Sequence, residues 1–357
     1  MNACALPSAV AAELTDFFAA RREPLAALDP TFAEAVTQLE QFVLRGGKRI
    51  RPAFAWWGWR GAGGDPDDRS APGVLRACAA LELIQACALV HDDLMDDSDT
   101  RRGYPTVHVA FAHRHREQGW RGDAERFGLA AAVLLGDLAL AWADDMLRSA
   151  ELAPATAARV APVWEAMRTE LMGGQFLDVL TEARGDEDPD SALRTARYKT
   201  AAYTVERPLH LGAALAGADH ALIAAYRSFG TDVGVAFQLR DDLLGVFGDP
   251  AVTGKPAGDD LREGKRTVLL AVALTQADRH DPAAAAALRA GLGSDLSTAE
   301  VDTLREHLRR LGAADAVEQR ITDLTRSGLA ALDRAVLHPA ARAQLCEMAL
   351  AVTERTH

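Results

Sequence analysis

Apolar residues recur every three or four positions over long windows of this sequence, and this periodicity constrains the fold more than any other feature. Such spacing places apolar side chains on one face of an α-helix. Alanine is frequent, β-branched runs are scarce, and we find no convincing alternating run that would indicate a strand. The predicted helices cover residues 7–22, 30–45, 47–60, 72–96, 123–148, 154–182, 191–216, 219–246, 267–277, 297–311, 313–334 and 338–353.

Breaks between the predicted helices coincide with clusters of Gly, Pro and Asp at 61–73, 101–105, 184–189 and 248–264. The last break is long, charged and rich in glycine, which is typical of a mobile loop with a functional task. No shift in composition divides the 357 residues, and no repeat of fixed period is present. We therefore predict one large all-α domain over residues 1–357, a helical bundle with a sizeable buried core.

Two pairs of adjacent aspartates each close a long apolar helix. The first pair, Asp92-Asp93, opens a segment with five Asp among residues 92–99, and the second pair is Asp241-Asp242. Asp92 and Asp96 lie one helical turn apart, where two carboxylates repel each other and the helix macrodipole unless a cation bridges them. Such hard oxygen ligands suit Mg²⁺, which also accepts phosphate oxygens. A solvated acidic helix end is the alternative for either pair alone. Two such pairs predict a polyphosphate clamped across a bundle through several metal ions.

Positive charge is concentrated beside these acids, although the chain as a whole is acidic. Lys and Arg number 39 against 51 Asp and Glu, a net charge of −12, which disfavours a sequence-independent nucleic-acid partner. Three short basic clusters follow a glycine pair or an acidic pair: Lys48, Arg49 and Arg51; Arg101 and Arg102; Lys255, Lys265 and Arg266. Lys199 lies in a predicted mid-chain helix. Because glycine lets the backbone approach an anion and Lys and Arg supply charge, these clusters predict a metal-bound ligand such as a diphosphate.

The sequence also indicates a cytoplasmic protein. None of the four cysteines belongs to a CxxC pair, so neither a zinc site nor a dithiol motif is indicated, and we expect buried, reduced thiols, with a single structural disulfide as the alternative. Glu13 and Asp16 interrupt the N-terminal segment early, unlike a signal peptide. The most apolar segment, 127–143, contains Asp137 and is rich in alanine. We predict that it is a buried helix of a soluble protein and no transmembrane segment.

The order of these motifs resembles that of the trans-isoprenyl diphosphate synthases, also called polyprenyl synthetases, over about residues 45–270. The matching motifs are Gly46-Gly47-Lys48-Arg49-Ile50-Arg51-Pro52, Asp92-Asp93-Leu94-Met95-Asp96 with Arg101-Arg102-Gly103, Gly174-Gln175-Phe176-Leu177-Asp178, Lys199-Thr200, Gln238-Leu239-Arg240-Asp241-Asp242, Phe247-Gly248-Asp249-Pro250, Gly254-Lys255 and Gly264-Lys265-Arg266. The resemblance implies an all-α bundle around a central cavity, a homodimer, and Mg²⁺ dependence with about three ions per site when diphosphate is bound. It implies head-to-tail condensation of isopentenyl diphosphate with an allylic diphosphate.

Matched position by position, the resemblance implies a role for each site residue. The Mg²⁺ ligands on the allylic diphosphate would be Asp92, Asp96 and Asp241, with outer support from Asp93, Asp178 and Asp242. The allylic diphosphate would be bound by Arg101, Lys199, Lys255 and Lys265, and isopentenyl diphosphate by Lys48, Arg51, Gln85 and Arg102. Oxygens of Thr200 and Gln238 would line the reaction centre and stabilise a carbocation.

The sequence departs from the family pattern at Gly245, which stands where the second motif would carry its third acid. Asp241 is the position expected to bind metal directly, so we expect activity to survive this departure.

The residues one turn and more before Asp92 should set the length of the product. One helical turn, about 5.4 Å, is close to the length of an isoprene unit. Cys87 and Ala88 are small, whereas family members that make the fifteen-carbon product often carry aromatic residues there. Ile84 lies deeper and is a candidate for the floor of the cavity. We therefore predict geranylgeranyl diphosphate, with farnesyl or longer products as alternatives. The other interpretation is that Cys87 and Ala88 merely pack against a neighbouring helix.

Three other functions compete with this interpretation. A terpene cyclase also uses an Asp-rich helix, Mg²⁺ and an allylic diphosphate, but it needs only one diphosphate site, whereas Lys48, Arg51 and Arg102 imply a second. A noncatalytic subunit of a heteromeric synthase would be expected to lack the metal-binding acids, and both Asp pairs are present. A plain helical scaffold is the third alternative.

Overall fold

The computed structural model describes residues 4–249 and 258–354, and these are almost entirely helical. In chain order the elements are α1 (Leu6–Ala19), α2 (Arg22–Leu28), α3 (Pro30–Leu44), α4 (Ile50–Gly61), α5 (Ala71–Ala79), α6 (Leu81–Met95), β1 (Thr100–Arg101), β2 (Tyr104–Pro105), α7 (Val107–Glu117), α8 (Ala124–Arg148), α9 (Pro154–Arg184), α10 (Pro189–Thr195), a π-helix (Ala196–Glu206), α11 (Arg207–Ala216), α12 (His220–Phe247), α13 (Asp259–Glu263), α14 (Val268–His280), α15 (Pro282–Gly291), α16 (Thr298–Arg310), α17 (Ala313–Leu332) and α18 (Pro339–Thr353).

The chain forms two compact units. The first combines the residues up to Glu165 with Arg207–Ile223 and Leu337–Gln344, and the second combines Ala166–Glu206, Ala224–Val336 and the residues from Leu345 onward. The first acidic pair therefore belongs to the first unit, and the second acidic pair belongs to the second unit.

The first unit is organised around α4, α6 and α8. Helix α11 packs along α4, and α8 packs against both α6 and α7. Large aromatic side chains fill the interior: Phe17 and Phe18 both meet Trp142 edge to face, and Trp56 lies against Trp59. Burial of such rings contributes about 1.5–3 kcal/mol each to folding, which accounts for a stable core with few aromatic residues overall.

The second unit buries the apolar faces of α12, α14, α16 and α17. Their shared core includes Leu239, Leu243, Leu270, Leu304 and Ile321. The π-helix packs beside α12, where Gly230 leaves no room for a side chain: a Cβ there would lie 2.8 Å from the backbone nitrogen of Glu206. The side chain of Glu206 is buried and accepts hydrogen bonds from Arg227 and Thr231.

The prediction of an all-α fold is confirmed, and most predicted helices are present. The predicted helix 72–96 is observed as α5 and α6, which Ala80 joins in a helical conformation. The sequence interpretation missed α2, α7, α13 and α15. Helix α7 is rich in His and Arg and has little amphipathic character, so its periodicity is weak. The strands β1 and β2 form a hairpin, and each has only two residues, which is too short to produce an alternating pattern.

The prediction that segment 127–143 is buried is wrong on one side of α8. Leu134 is 68% exposed, and Phe127, Leu129 and Val133 are also exposed. The reason is that α8 is apolar on more than one side, and α6 and α7 cover only part of it. Two segments, Ala71–Met95 and Ala124–Arg148, are long and apolar enough to be candidate membrane spans, but core helices of soluble proteins pass the same test, so this is weak support for a span.

The predicted glycine-rich loop at 248–264 is described only in part. Its residues 250–257, including Lys255, lie outside the described residues. Its last part forms the short helix α13, bounded by Gly258 and Gly264, which both adopt positive φ. All four cysteines are described and none forms a disulfide; Cys78 and Cys87 are buried, as expected, whereas Cys4 is exposed.

Candidate active site

The first acidic cluster occupies the last turn of α6 and faces the hairpin that follows it. The β1–β2 turn places Arg102 and Gly103 at positive φ and returns the chain so that Arg101 points back to the helix. Arg101 donates from Nε to Asp93 Oδ1 at 2.6 Å, and its Nη2 lies 3.6 Å from Asp92 Oδ2. Asp93 is 1% exposed, whereas Asp92 and Asp96 remain partly exposed. The structure therefore brings a predicted phosphate-binding cation onto the predicted metal-binding acids.

The acids of this cluster stabilise the positive charge of Arg101. Burial disfavours the guanidinium of Arg101, but Asp93, Asp92 and Asp96 outweigh this effect, so the pKa of Arg101 is raised. Three carboxylates near one cation leave the cluster acidic overall. A further cation would relieve the repulsion among these acids.

The basic turn before α4 is built around a buried ion pair. Arg49 adopts a left-handed backbone conformation, and its guanidinium binds Glu82 and donates to the carbonyl oxygen of Val43 at 2.8 Å. Lys48 is exposed beside it, and Arg51 is partly buried. Arg49 therefore shapes the turn, and Lys48 and Arg51 are the cations of the motif that remain partly exposed.

Arg102 joins the two predicted isopentenyl-binding segments. Its Nη1 donates to the carbonyl oxygen of Arg45 at 3.3 Å, at the start of the basic turn. Burial, followed by repulsion from Arg101, Arg49 and Arg51, lowers the pKa of Arg102, although Glu82 opposes this. Such crowding of cations favours an anionic ligand. A cavity of about 200 Å³ adjoins the crowded side chains and is lined in part by Arg45, Arg101, Arg102 and Tyr104.

In the second unit, Gly174 brings α9 onto the π-helix. A Cβ at Gly174 would lie 2.5 Å from the Cα of Lys199, so the two backbones touch only because that side chain is absent. One turn later, Asp178 forms an ion pair with Lys199, and Lys265 Nζ lies 4.0 Å from the same carboxylate. Thr200 follows in the π-helix and is buried. Asp178 is therefore a shared partner of two predicted phosphate-binding lysines.

The second acidic pair lies near the C-terminal end of α12. Asp242 is buried and accepts a hydrogen bond from Gln238 Nε2 at 2.7 Å, whereas Asp241 is partly exposed. Burial, together with Asp260, Asp241 and Asp178, raises the pKa of Asp242 to about 8, against the hydrogen bond from Gln238. This cluster, like the first, concentrates negative charge that a cation would relieve.

The donor set fits Mg²⁺ held jointly with a substrate. Within residues 4–249 and 258–354, no three His, Cys, Asp or Glu side chains gather closely enough to hold a metal by themselves. Mg²⁺ differs from metals that need a full protein cage, because it is usually bound by one or two carboxylates, waters and substrate phosphates. The carboxylates at the ends of α6 and α12 supply that kind of incomplete ligand set.

The predicted chain-length residues are all buried. Ile84, Cys87 and Ala88 lie in the interior of the first unit. The Cys87 sulfur is 3.7 Å from Nδ1 of His91, and burial together with Asp137 raises the pKa of the thiol to about 12. Cys87 therefore packs beside a side chain of its own helix.

The sequence interpretation did not find several residues of these clusters. It matched Gly174 only as part of a motif, and it gave no role to Glu82, His91 or Asp260. These residues contact elements that are far apart in sequence, so no local spacing of residue types predicts the contacts. Lys255 lies outside the described residues, so its predicted role stays a prediction.

Comparisons with known proteins agree with this set of motifs. A model of the family described as polyprenyl synthetase matches residues 33–308. The geranylgeranyl diphosphate synthase of Mycobacterium tuberculosis is 36% identical over 294 residues, which cover 82% of this chain and 77% of that protein. The geranylfarnesyl diphosphate synthase of Aeropyrum pernix is 35% identical over 240 residues, 66% of this chain and 69% of that protein.

Several solved structures are similar along almost the whole chain, and one of them contains a ligand and a metal. It is the crystal structure of a geranylgeranyl pyrophosphate synthase from Corynebacterium glutamicum, in complex with isoprenyl diphosphate and magnesium. The two proteins are 50% identical, the match covers 99% of this chain and 100% of the other, and the TM-score is 0.96.

Proposed function

Because this chain belongs to the polyprenyl synthetase family and is a trans-prenyltransferase, we propose that it condenses isopentenyl diphosphate with allylic diphosphates head to tail and releases geranylgeranyl diphosphate as its main product. One observation carries the proposal: each unit, taken by itself, holds aspartates of the family motifs against cations. In the first unit Arg101 contacts Asp92 and Asp93, and in the second Lys199 and Lys265 contact Asp178. A metal-bound diphosphate needs both kinds of group.

Enzymes of this family are in general Mg²⁺-dependent. In our proposal Asp92, Asp96 and Asp241 would hold Mg²⁺, about three ions when the allylic diphosphate is bound, with Asp93, Asp178 and Asp242 as outer support. Bound Mg²⁺ would neutralise the charge that builds on the leaving diphosphate. The single domain over residues 1–357 is part of the same proposal, since the family match runs through residues of both units.

The cations of the site divide between the two substrates. Arg101, Lys199, Lys255 and Lys265 would hold the allylic diphosphate, and Lys48, Arg51, Gln85 and Arg102 would hold isopentenyl diphosphate. Placing both substrates in fixed orientation converts their encounter into an intramolecular step. The crowded cations around Arg102 support the second of these sites, which a terpene cyclase would not need.

The remaining steps need little from the side chains. The amide oxygen of Gln238 and the hydroxyl of Thr200 would stabilise the allylic cation, and the hydrogen bond from Gln238 Nε2 to Asp242 would hold the amide in that orientation. The double bond of isopentenyl diphosphate then attacks the cation, and the released diphosphate accepts the proton that is lost. No side-chain base is required.

The product of about 20 carbons is the finer part of the proposal. It is supported by the small residues at 87 and 88 and by relatives named geranylgeranyl diphosphate synthases. A relative named geranylfarnesyl diphosphate synthase keeps the longer product open, and the farnesyl product is the shorter alternative.

We further propose a cytoplasmic homodimer. One apolar side of α8 is exposed, and it is formed by Phe127, Leu129, Val133 and Leu134. Exposed apolar patches of this kind mark association surfaces, which supports a dimer in which a second copy of the chain packs on this side of α8.

The test is incubation with isopentenyl diphosphate, each allylic primer in turn and Mg²⁺, followed by sizing of the products. We expect products up to about 20 carbons and no product after EDTA, with recovery when Mg²⁺ is restored. No incorporation with any primer would reject the proposal.

Variants give this assay its control. Asp92→Asn and Asp241→Asn should each reduce kcat by about 100-fold or more, because each removes a proposed metal ligand. Asp97→Asn is the matched control: Asp97 is exposed in the same acidic segment, has a positive φ that Asn tolerates, and should retain activity.

A further inference from the structure

Two arginine side chains hold the last turns of α12, the part of the helix that carries the second acidic pair. Arg240 directly precedes Asp241, and Arg305 of α16 contacts Val246, one turn after Asp242. All of these residues belong to the second unit. The acidic pair therefore lies between two anchored positions of the helix, one on each side of it in sequence.

Arg240 joins α12 to α17 and to the end of α18. Its Nη2 donates to Glu318 Oε2 at 2.6 Å, and its Nε donates to the carbonyl oxygen of Thr353 at 2.8 Å. Thr353 is fully buried, and the side chain of Arg240 is largely buried. Because a guanidinium is planar and donates in fixed directions, these two contacts restrain the rotation of α12 at this residue.

Arg305 caps the end of α12 from a helix far away in sequence. Its Nε donates to the carbonyl oxygen of Val246 at 2.6 Å, and its Nη1 lies 3.3 Å from Asp302 Oδ1. The last carbonyl groups of a helix have no partner within it and carry the negative end of the macrodipole. Asp241 and Asp242 lie at this same end, where the macrodipole opposes their charge. The cation of Arg305 therefore offsets part of that cost.

Apolar packing alone does not provide this restraint. Leu239 and Leu243 of the same turns are buried in the core of the second unit. Such burial is non-directional, so it keeps the helix in contact with its neighbours without selecting one rotation about its axis. A side chain that binds a ligand must be held within about 0.5 Å of its productive position. The hydrogen bonds of Arg240 and Arg305 supply the directional part of that restraint.

We propose that Arg240 and Arg305 are positioning residues for Asp241. They hold the end of α12 in the orientation that the carboxylate needs, through α16, α17 and α18 and without contacting the substrate. The inference rests on the proposed function. It gives Arg305, which lies outside the acidic motif, an effect on ligand affinity. It gives Arg240 a role directed away from the diphosphate, although this residue is the neighbour of a proposed metal ligand.

The alternative is that both arginines only stabilise the fold. A cation at a helix end and a buried ion pair contribute to stability wherever they occur. In that case their substitution lowers the free energy of unfolding, and the molecules that remain folded bind their ligand as before. Affinity measured at a temperature where every variant is fully folded therefore separates the two roles.

The experiment is calorimetric titration of the full chain with inorganic diphosphate at a fixed Mg²⁺ concentration. Arg240→Met and Arg305→Met keep much of the side-chain length and remove the charge and the donors. We expect each to weaken binding by about tenfold or more, the usual effect of removing a residue that orients a metal ligand. An affinity of both variants equal to that of the unsubstituted protein would overturn the inference.

Two further variants make the test specific. Arg310→Met removes a cation from the same helix as Arg305, but Arg310 pairs with Asp281, before α15, and should leave the affinity unchanged. Arg305→Lys keeps a cation that can donate to the carbonyl of Val246, and it should bind within about threefold of the unsubstituted protein. A lysine variant as weak as Arg305→Met, or an equal loss in Arg310→Met, would overturn the role of Arg305.

Prenyl transfer gives a second measurement. The Mg²⁺ concentration for half-maximal activity should rise in both Met variants, whereas kcat at saturating Mg²⁺ should stay within about threefold, because bound ligand restores the orientation. Failure of the proposed function would look different: the unsubstituted protein would incorporate no isopentenyl diphosphate with any primer. Normal prenyl transfer together with unchanged diphosphate binding in the Met variants would reject only the role of the two arginines.

Discussion

The imidazole of His91 occupies the space in which a side chain at Gly136 would lie. His91 Nε2 is 3.3 Å from the carbonyl oxygen of Val133 and 3.7 Å from Asp137 Oδ1, so the ring attaches the end of α6 to α8. Because Asp92 follows His91 directly, the position of the first acidic cluster depends on the absence of a Cβ at 136.

Gly136→Ala should therefore lower the free energy of unfolding by about 1–3 kcal/mol, because the ring must move. It should also raise the Mg²⁺ concentration needed for half-maximal activity, since Asp92 moves with the ring. Urea unfolding and a Mg²⁺ titration check both. Gly173→Ala is the control: no outside atom among the described residues lies within 4 Å of its added Cβ, so it should gain up to about 1 kcal/mol from helix propensity. Equal stability of Gly136→Ala and the unsubstituted protein would contradict the prediction.

The buried Arg49–Glu82 ion pair should be costly to break from one side. The side chains of Arg49 and Glu82 are 6% and 9% exposed, so Glu82→Gln leaves a buried guanidinium without its counter-charge and should cost about 3–5 kcal/mol. Urea unfolding of Arg49→Met, of Glu82→Met and of the double variant Arg49→Met/Glu82→Met gives the coupling energy of the pair. We expect the double variant to lose much less than the two single losses combined, and strict additivity would count against this account.

Ala88→Phe should shorten the product. Ala88 is buried one turn before Asp92, so a phenyl ring would take up about one isoprene length along α6. The main product should change from about 20 to about 15 carbons, with a stability loss of about 1–3 kcal/mol from overpacking. Chromatography of radiolabelled products measures this. An unchanged chain length would favour the view that Ala88 only packs against a neighbouring helix.

Leu134→Glu should separate the proposed dimer into single chains, because a charge buried at an interface carries a large desolvation cost. Light scattering after size-exclusion chromatography measures the mass. Val336→Glu is the matched control for Leu134→Glu, since Val336 is 95% exposed and lies outside α8. This control variant should keep the mass of the unsubstituted protein. If Leu134→Glu had the same mass as the unsubstituted protein, the proposal that α8 forms the interface would be rejected.

Asp232→Asn should stabilise the protein at neutral pH. Burial raises the pKa of Asp232, against a hydrogen bond from Ser327, so the folded state prefers the protonated carboxyl. That preference stabilises the fold below the unfolded-state pKa of about 3.8 and is lost as pH rises through the raised folded-state pKa. The variant should exceed the unsubstituted protein by less than about 1 kcal/mol at pH 8, because Asp232 remains partly exposed to solvent. Urea unfolding at pH 8 and pH 4 tests this, and a larger advantage at pH 4 would contradict it.

The sequence predicted the helices better than it predicted which acids and cations contact one another in the clusters. Periodicity located α12, and the spacing of Asp92 and Asp96 indicated a cation-binding helix end. The pairing of Arg101 with Asp93 and of Lys199 with Asp178 follows from a hairpin and a π-helix, neither of which has a clear local pattern. Exposure of α8 was missed because apolar content alone does not say which sides of a helix pack against the rest of the fold.

The two ends of the π-helix have a consequence for the length of this chain. Lys199 is fixed by the contact of its backbone with Gly174, and Glu206 by the contact of its backbone with Gly230. Adding or removing one residue between them would turn one end by about a quarter of a turn about the helix axis and break one of these contacts. We therefore expect a change of chain length between residues 199 and 206 to cost more stability than a change of chain length in a break such as residues 61–70.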